Sequence, residues 1–261
     1  MKAAIFDKFG SAQEVLEIQN IEDPKINDNE VIVKLSKSGV NPSDVKKRAG
    51  AFSNLLDNGF VVPHSDGAGV IVDVGNEVSR DRIGERVWVY QAQYERNYGT
   101  AAELLSIDSS RAVKLPDNTS LETGACLGIP AMTAHRCIFA DGSVEGKNIL
   151  VTGGAGRVGF YAIQWGKLFG ATVITTASND YDKQACLDIG ADGVINHREE
   201  DWELSALDAN HGEKFDRLVD VEFGANLNNT LNIMKTGSTI ATYSSTQNPN
   251  PVIPFLKMMY M

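Results

Sequence analysis

The alternation of apolar and polar positions changes rhythm partway along the chain. Up to about residue 120, short apolar runs are broken by turn residues. Val31–Leu35 alternates with polar positions, Gly69–Val74 is β-branched and bounded by glycines, and Arg86–Tyr90 forms another such run. Asn27-Asp28-Asn29, Asn41-Pro42-Ser43, Gly75-Asn76, Arg82-Ile83-Gly84 and Leu115-Pro116-Asp117 supply turn chemistry between them. Short strands at this spacing predict a compact β barrel or sandwich. One helix interrupts it over Pro42–Ala49, with Asn41 as N-cap and Pro42 in the first turn.

Beyond Pro116, Ser120 starts a helix over Leu121–Cys126, and Ala131–Phe139 continues as a second. From Lys147 onward strands and helices alternate. Strands are predicted over Asn148–Thr152, Thr172–Ala177, Gly193–Asn196, Phe215–Val221 and Ser238–Tyr243. Helices are predicted over Val158–Phe169, Asp182–Ile189 and Leu227–Met234. A β-α-β-α order of this kind predicts a doubly wound parallel sheet. The fold class is therefore α/β, with a β-rich domain over residues 1–122 and a parallel-sheet domain over 123–261.

Composition narrows the function classes. The chain has 261 residues, 43% of them hydrophobic, enough for two domains with their own cores and too apolar for intrinsic disorder. Three widely spaced cysteines, Cys126, Cys137 and Cys186, do not make a disulfide framework and fit a reducing compartment. The net charge of −10 disfavours nucleic-acid binding by bulk electrostatics, and the one basic cluster, Lys46-Lys47-Arg48, reads as a solvated face. No apolar run is long enough for a membrane span, and the first residues do not read as a signal peptide, so a cytoplasmic location is expected.

The first strand of the parallel-sheet half runs into Gly153-Gly154-Ala155-Gly156-Arg157-Val158-Gly159, which contains G-x-G-x-x-G at Gly154, Gly156 and Gly159. Following a strand and opening a helix, this is the context of a dinucleotide-binding loop. In that reading Gly154 allows the turn, Gly156 lets the backbone approach a pyrophosphate, and Gly159 lets the helix pack on the sheet. The helix N-terminus offers amide donors to the phosphates. The second strand ends at Ala177-Ser178-Asn179 with no carboxylate at its tip, where an NAD site places an acid. Ser178, with Lys183 early in the next helix, suits a 2′-phosphate, so NADPH is expected. The nearby Asp180 keeps NAD open.

Taken together, these residues resemble the zinc-independent quinone oxidoreductases of the medium-chain dehydrogenase/reductase superfamily, the group that includes zeta-crystallin. The resemblance is carried by Met1-Lys-Ala, Gly39-Val-Asn-Pro-Ser-Asp44, Asp66-Gly-Ala-Gly-Val-Ile71, Gly84-Glu-Arg-Val87, Gly128-Ile-Pro-Ala-Met-Thr-Ala134, the glycine loop and Asn196-His-Arg-Glu199. It implies a GroES-like catalytic domain followed by a Rossmann domain. Asn41 stands at the first cysteine ligand of the zinc alcohol dehydrogenases, Ser65 at their histidine, and Ile129 near the third ligand, so no metal is implied. The implied reaction is hydride transfer from NADPH to a quinone or an activated enone, with a 2-enoyl thioester reductase or a non-catalytic NADPH-binding protein as alternatives.

By the same resemblance, Asn41 and Asp44 border substrate and nicotinamide. On the residues alone, Asn41 equally caps the helix at Pro42, and Asp44 is equally a first-turn acid. Thr133 would face the nicotinamide, and Gly154, Ala155, Gly156, Arg157, Val158 and Gly159 would hold the pyrophosphate. Ser178 and Lys183 would take the 2′-phosphate, and His197, which on the residues alone reads as a surface histidine, would lie near the adenosine. Asn226, Thr242, Tyr243, Ser244 and Ser245 would approach the nicotinamide ribose. Lys46 and Phe52 stand where relatives often carry tyrosines near substrate and cofactor. Relatives assemble as homodimers or homotetramers, and some associate with RNA. Against the family the chain also stops several tens of residues early, so a last strand and a return segment of the catalytic domain are expected to be missing.

Overall fold

The structure is a computed structural model and describes residues 1–260 of the chain. The chain divides into two compact units, Met1–Ile129 and Pro130 onward. The first opens with β1 (Lys2–Ile5), α1 (Ala12–Val15) and β2 (Glu17–Asn20), the two strands pairing antiparallel. Then come β3 (Glu30–Gly39), α2 (Pro42–Arg48), β4 (Asp66–Val74), β5 (Arg86–Val89), β6 (Leu104–Asp108), β7 (Ala112–Lys114) and α3 (Leu121–Gly124). Strands β3 to β7 form an antiparallel sheet in the order β6-β3-β4-β5-β7. Alternate residues Val31, Val33, Ile71, Val87, Val89, Leu105 and Ile107 turn one way and bury together, each side chain contributing about 2 kcal/mol of transfer free energy.

Two strands run further than their apolar runs predict. β3 continues to Gly39 because irregularities after Ile32 and after Leu35 let it bend while keeping its partners. β4 starts three residues early, at Asp66, through Gly67-Ala68-Gly69. A side chain at Gly69 would meet the Lys34 carbonyl oxygen at 2.1 Å, so the apolar pattern is interrupted where the two backbones run closest. β2 carries no alternation to read, because all four of its residues are exposed.

A wide helical turn runs over Leu127–Ala131, and the first helix of the second unit is α4 (Met132–Phe139). This unit continues with β8 (Asn148–Val151), α5 (Arg157–Leu168), β9 (Thr172–Ala177), α6 (Asp180–Asp188), β10 (Gly193–Asn196), α7 (Trp202–Ala209), β11 (Phe215–Asp220), α8 (Phe223–Ile233), β12 (Met234–Thr242) and α9 (Phe255–Met259). Its sheet is parallel, in the order β10-β9-β8-β11-β12. The fold is thus mixed α/β, a β-rich GroES-like unit and a Rossmann-like unit. The winding direction reverses between β8 and β11, and the carboxyl ends of these strands flank the switch point where open α/β sheets take their ligands.

α7 was not foreseen, having only Trp202 and Ala206 buried along it. α8 starts four residues before its apolar stretch, at Phe223. Arg217 on β11 is buried, donating to the Cys137 carbonyl at 2.7 Å and pairing with the Asp141 carboxylate. Among the described residues, no helix is long and apolar enough to cross a membrane.

Candidate functional site

In the second unit, the glycine loop turns at the carboxyl end of β8. The residue that takes the left-handed conformation is Gly153, with φ +67°, and not Gly154 as the motif reading has it. Gly153 donates its N–H to Thr176 Oγ1 at 2.8 Å, and Gly154 donates to the Thr176 carbonyl at 2.9 Å, which ties the loop to β9. Gly154 is a packing position instead: a Cβ there would meet Thr175 Oγ1 at 2.1 Å and Cys186 Sγ at 3.0 Å. Gly159 also differs from its assigned role, because a Cβ would strike the Gly153 carbonyl at 2.3 Å, so it packs the helix on the loop itself. Gly156 caps α5 in an extended conformation. The first-turn amides of α5, from Arg157 on, have no partner within the helix, and Arg157 is exposed while Ala155 and Val158 are half-buried. The residues present therefore form a cradle that fits a dinucleotide pyrophosphate.

Beside the ends of β9 and β10 lies a cavity of about 280 Å³, lined by Ala177, Asn179, Asp180, Lys183, Asn196, Glu199 and neighbours. Lys183 is the cation among its lining residues, with Asp180 and Glu199 opposing it. Ser178, half-buried, follows directly on Ala177. His197 is exposed and is not among the residues lining this cavity.

Asp220, at the end of β11, gathers the other predicted positions. It is buried, and its Oδ1 accepts from Thr152 Oγ1 at 2.6 Å, the Glu222 N–H at 3.1 Å and Asn226 Nδ2 at 2.8 Å. Its carbonyl accepts from Thr242 Oγ1 and the Tyr243 N–H, both at 3.2 Å. Ser245 Oγ accepts from the Gly224 N–H at 2.9 Å, and the Ser244 carbonyl from the Phe223 N–H at 3.0 Å. Asn226 and residues 242–245 thus share one hydrogen-bonded end of the sheet. Burial pushes the Tyr243 phenol well above its ordinary range, so it stays neutral. Thr133 is half-buried on α4.

In the first unit, the polar residues converge on Asp66. Asn41 Nδ2 donates to Asp66 Oδ2 at 2.7 Å, and the Ile129 N–H donates to the same oxygen at 2.8 Å. At the N-terminus of α2, Asp44 Oδ2 accepts the Asn41 N–H at 2.8 Å, while the Asn41 side-chain nitrogen is turned to Asp66. Asn41, Asp44 and Asp66 are all buried, and Asp44 Oδ1 and Asp66 Oδ1 have no hydrogen-bond partner among the described residues. Burial pushes the Asp66 carboxyl up to about 6, against the pull of the Ile129 N–H and the Asn41 amide. It raises Asp44 as well. Burial likewise holds the His64 imidazole and the Lys47 ammonium below their ordinary ranges, Asp44 opposing in both and Asp66 in Lys47 as well.

The basic cluster is not the solvated face it resembles. Lys46 is exposed, but Lys47 Nζ donates to the buried Gln93 Oε1 at 3.1 Å and Arg48 reaches the Gly10 carbonyl at 2.7 Å. Phe52 is exposed, capping a short 3-10 turn. Sequence reading missed Asp66, Lys47, Gln93 and Asp220. Only Asp66 carried a signal, an acid directly before Gly67 in a glycine-rich motif; Lys47, Gln93 and Asp220 carried none.

At the positions that the resemblance sets against the zinc enzymes' ligands, the donors are wrong for zinc. Asn41 contributes an amide and Ser65 a hydroxyl, and Ile129 contributes only its N–H, which Asp66 already holds. His64, next to Ser65, has its Nδ1 bonded to Ser38 Oγ at 2.8 Å. Among the described residues, no group of three or more His, Cys, Asp or Glu is placed to hold a metal ion.

Two family models match the chain. The alcohol dehydrogenase GroES-like domain covers residues 27–117 and the zinc-binding dehydrogenase domain covers residues 158–261. A quinone oxidoreductase of Pongo abelii is 32% identical over 250 residues, covering 94% of this chain and 73% of that protein. A 2-methylene-furan-3-one reductase of Solanum lycopersicum is 32% identical over 209 residues, covering 78% of this chain and 54% of that protein. Among solved structures, that of mycobacterial Rv1454c complexed with NADPH superposes with a TM-score of 0.85. It is 25% identical and covers 99% of this chain and 78% of that one.

Proposed function

Because the chain belongs to the quinone oxidoreductases of the medium-chain dehydrogenase/reductase superfamily, and is thus an oxidoreductase binding a nicotinamide cofactor, we propose that it is an NADPH-dependent, zinc-independent reductase of quinones or activated enones. The observation that carries the reading is the glycine cradle at the sheet's switch point, where Gly154 has no room for a side chain against Thr175. The bound cofactor supplies a hydride from its nicotinamide ring.

Within this reading, residues 154–159 and the α5 N-terminus bind the pyrophosphate. Ser178 and Lys183 bind the 2′-phosphate, in support of which the tip of β9 lacks a carboxylate and Lys183 lines the neighbouring cavity. The relative solved with NADPH supports the same choice. Asn226, Thr242, Tyr243, Ser244 and Ser245 orient the nicotinamide ribose, with Thr133 and Phe52 as further cofactor contacts and His197 at the adenosine end. Asn41 and Asp44 orient the substrate. A quinone or enone that accepts hydride develops negative charge on oxygen, which hydrogen-bond donors stabilise without a Lewis acid. The amide of Asn41 is such a donor. An alcohol would need a metal to stabilise its alkoxide, and the donors at Asn41, Ser65 and Ile129 do not offer one a site.

Quenching of tryptophan fluorescence by NADPH and NADH, followed by turnover assays with 1,2-naphthoquinone and with a crotonyl thioester, tests the reading. It requires tighter NADPH binding and oxidation with the quinone. Turnover of the thioester alone would assign the chain to the enoyl reductases, and binding without any turnover would make it a non-catalytic NADPH-binding protein.

A further inference from the structure

Three segments remote in sequence meet at the Asp66 carboxylate. Gly39, at the end of β3, is in register with Asp66 at the start of β4, and a Cβ on Gly39 would meet the Ala125 carbonyl at 2.2 Å and Asp66 Cβ at 3.1 Å. Gly128 closes the other side, since a Cβ there would meet Asp66 Oδ1 at 2.1 Å. The Ile129 N–H then fixes Oδ2 from the following residue. The carboxylate thus sits in a slot walled by two glycines, with one oxygen aimed at the Asn41 amide. An ionised carboxylate only accepts, so the nitrogen of that amide must face it and the amide cannot flip. One N–H of Asn41 is committed to Asp66, and the second is left as a donor of fixed direction.

We propose that Asp66 is a positioning residue, which holds the Asn41 amide in the one orientation that presents its remaining N–H to the oxygen of the substrate that gains negative charge. The proposal rests on the reading of Asn41 as a substrate-orienting residue. Asp66 does not touch substrate; it acts through Asn41. A donor preset for the developing charge needs no reorganisation during reaction, and losing its orientation lowers kcat more than it raises KM. The charged groups facing Asp66 are Asp44 and Lys47 of α2, and His64 lies within the field of Asp44.

The test uses the full chain in two arms. In the first, side-chain amide resonances of asparagine-labelled, cofactor-free protein are followed with pH. The Asn41 pair is expected as two resolved signals that titrate with a midpoint near 6, and the titration is expected to vanish in Asp66→Asn. In the second, Asp66→Ala is expected to lower kcat for 1,2-naphthoquinone roughly 10- to 100-fold with NADPH affinity unchanged. Asp66→Asn, whose side-chain oxygen accepts both bonds, is expected to recover most of that loss. Wild-type kcat in a folded Asp66→Ala, or Asn41 side-chain resonances that are the same in wild type and Asp66→Asn at every pH, would overturn the proposal. If Asp66→Ala does not fold, the resonances and Asp66→Asn decide, and no recovery in Asp66→Asn counts against orientation. A wild-type protein that turns over neither quinone nor enone defeats the proposed function instead, while the resonances still report on the pair.

Discussion

Gly154, in the loop after β8, lies against Thr175 of β9 with no room for a side chain: a Cβ on Gly154 would sit 2.1 Å from Thr175 Oγ1. That hydroxyl is itself fixed, donating to the Val151 carbonyl at 2.7 Å. Gly154→Ala therefore forces the loop away from β9. The expected cost is about 1–3 kcal/mol in denaturant unfolding, together with weaker NADPH binding. Thr175→Ala in the Gly154→Ala background should recover part of the stability, and strict additivity of the two changes would argue against the contact.

The coenzyme choice is tested at the tip of β9. Ser178→Asp adds a carboxylate beside the cavity that Lys183 lines, so the NADPH dissociation constant should rise about tenfold or more, a loss of about 1.4 kcal/mol. NADH binding should hold or improve. Equal weakening of both coenzymes would place the 2′-phosphate elsewhere.

Arg217 provides a stability test away from the ligand. Its guanidinium is buried within the sheet and its partner Asp141 is about half exposed. Asp141→Ala leaves a buried cation short of an acceptor and should destabilise by about 1–3 kcal/mol. Arg217→Met, which removes the charge itself, should be close to neutral. Thermal unfolding of the two variants, with Asp141→Ala the less stable, checks the ordering.

A further prediction concerns pH. The Asp66 carboxyl is raised from 3.8 to about 6, chiefly by burial. The folded state therefore binds a proton more readily than the unfolded state. This contribution to stability is fully present below about pH 4 and is lost as pH rises through about 6. Asp66→Asn has no such loss. Relative to wild type it should gain about 3 kcal/mol at most between pH 4 and pH 7, as read from urea unfolding at each pH. A pH-independent difference would mean that Asp66 ionises normally.

The two halves of the site were unequally legible in the sequence. The glycine loop could be read because its parts are contiguous and follow a strand, although only the structure moves the left-handed turn to Gly153. The Asp66 cluster could not be read, because Asp66 meets Asn41 across 25 residues and Ile129 across 63. Local periodicity carries no information about such pairings. Lys47 was misread for a related reason: in Lys46-Lys47-Arg48 the charges are adjacent, but the helix turns them to different surroundings. The parallel sheet was recovered nearly strand by strand. In the first unit only β3, β4 and β5 were singled out and β1, β2, β6 and β7 were not; β2, exposed along its whole length, has no apolar alternation to read.

The central claim is hydride delivery from NADPH to a quinone without a metal. Its most direct test is a single-turnover experiment, in which chelator-treated, NADPH-loaded protein is mixed anaerobically with 1,2-naphthoquinone and NADPH absorbance is followed. The account predicts rapid oxidation of one NADPH per site, unchanged by the chelator. Bound NADPH that stays reduced in the presence of the quinone, or oxidation that appears only when zinc is restored, would contradict it.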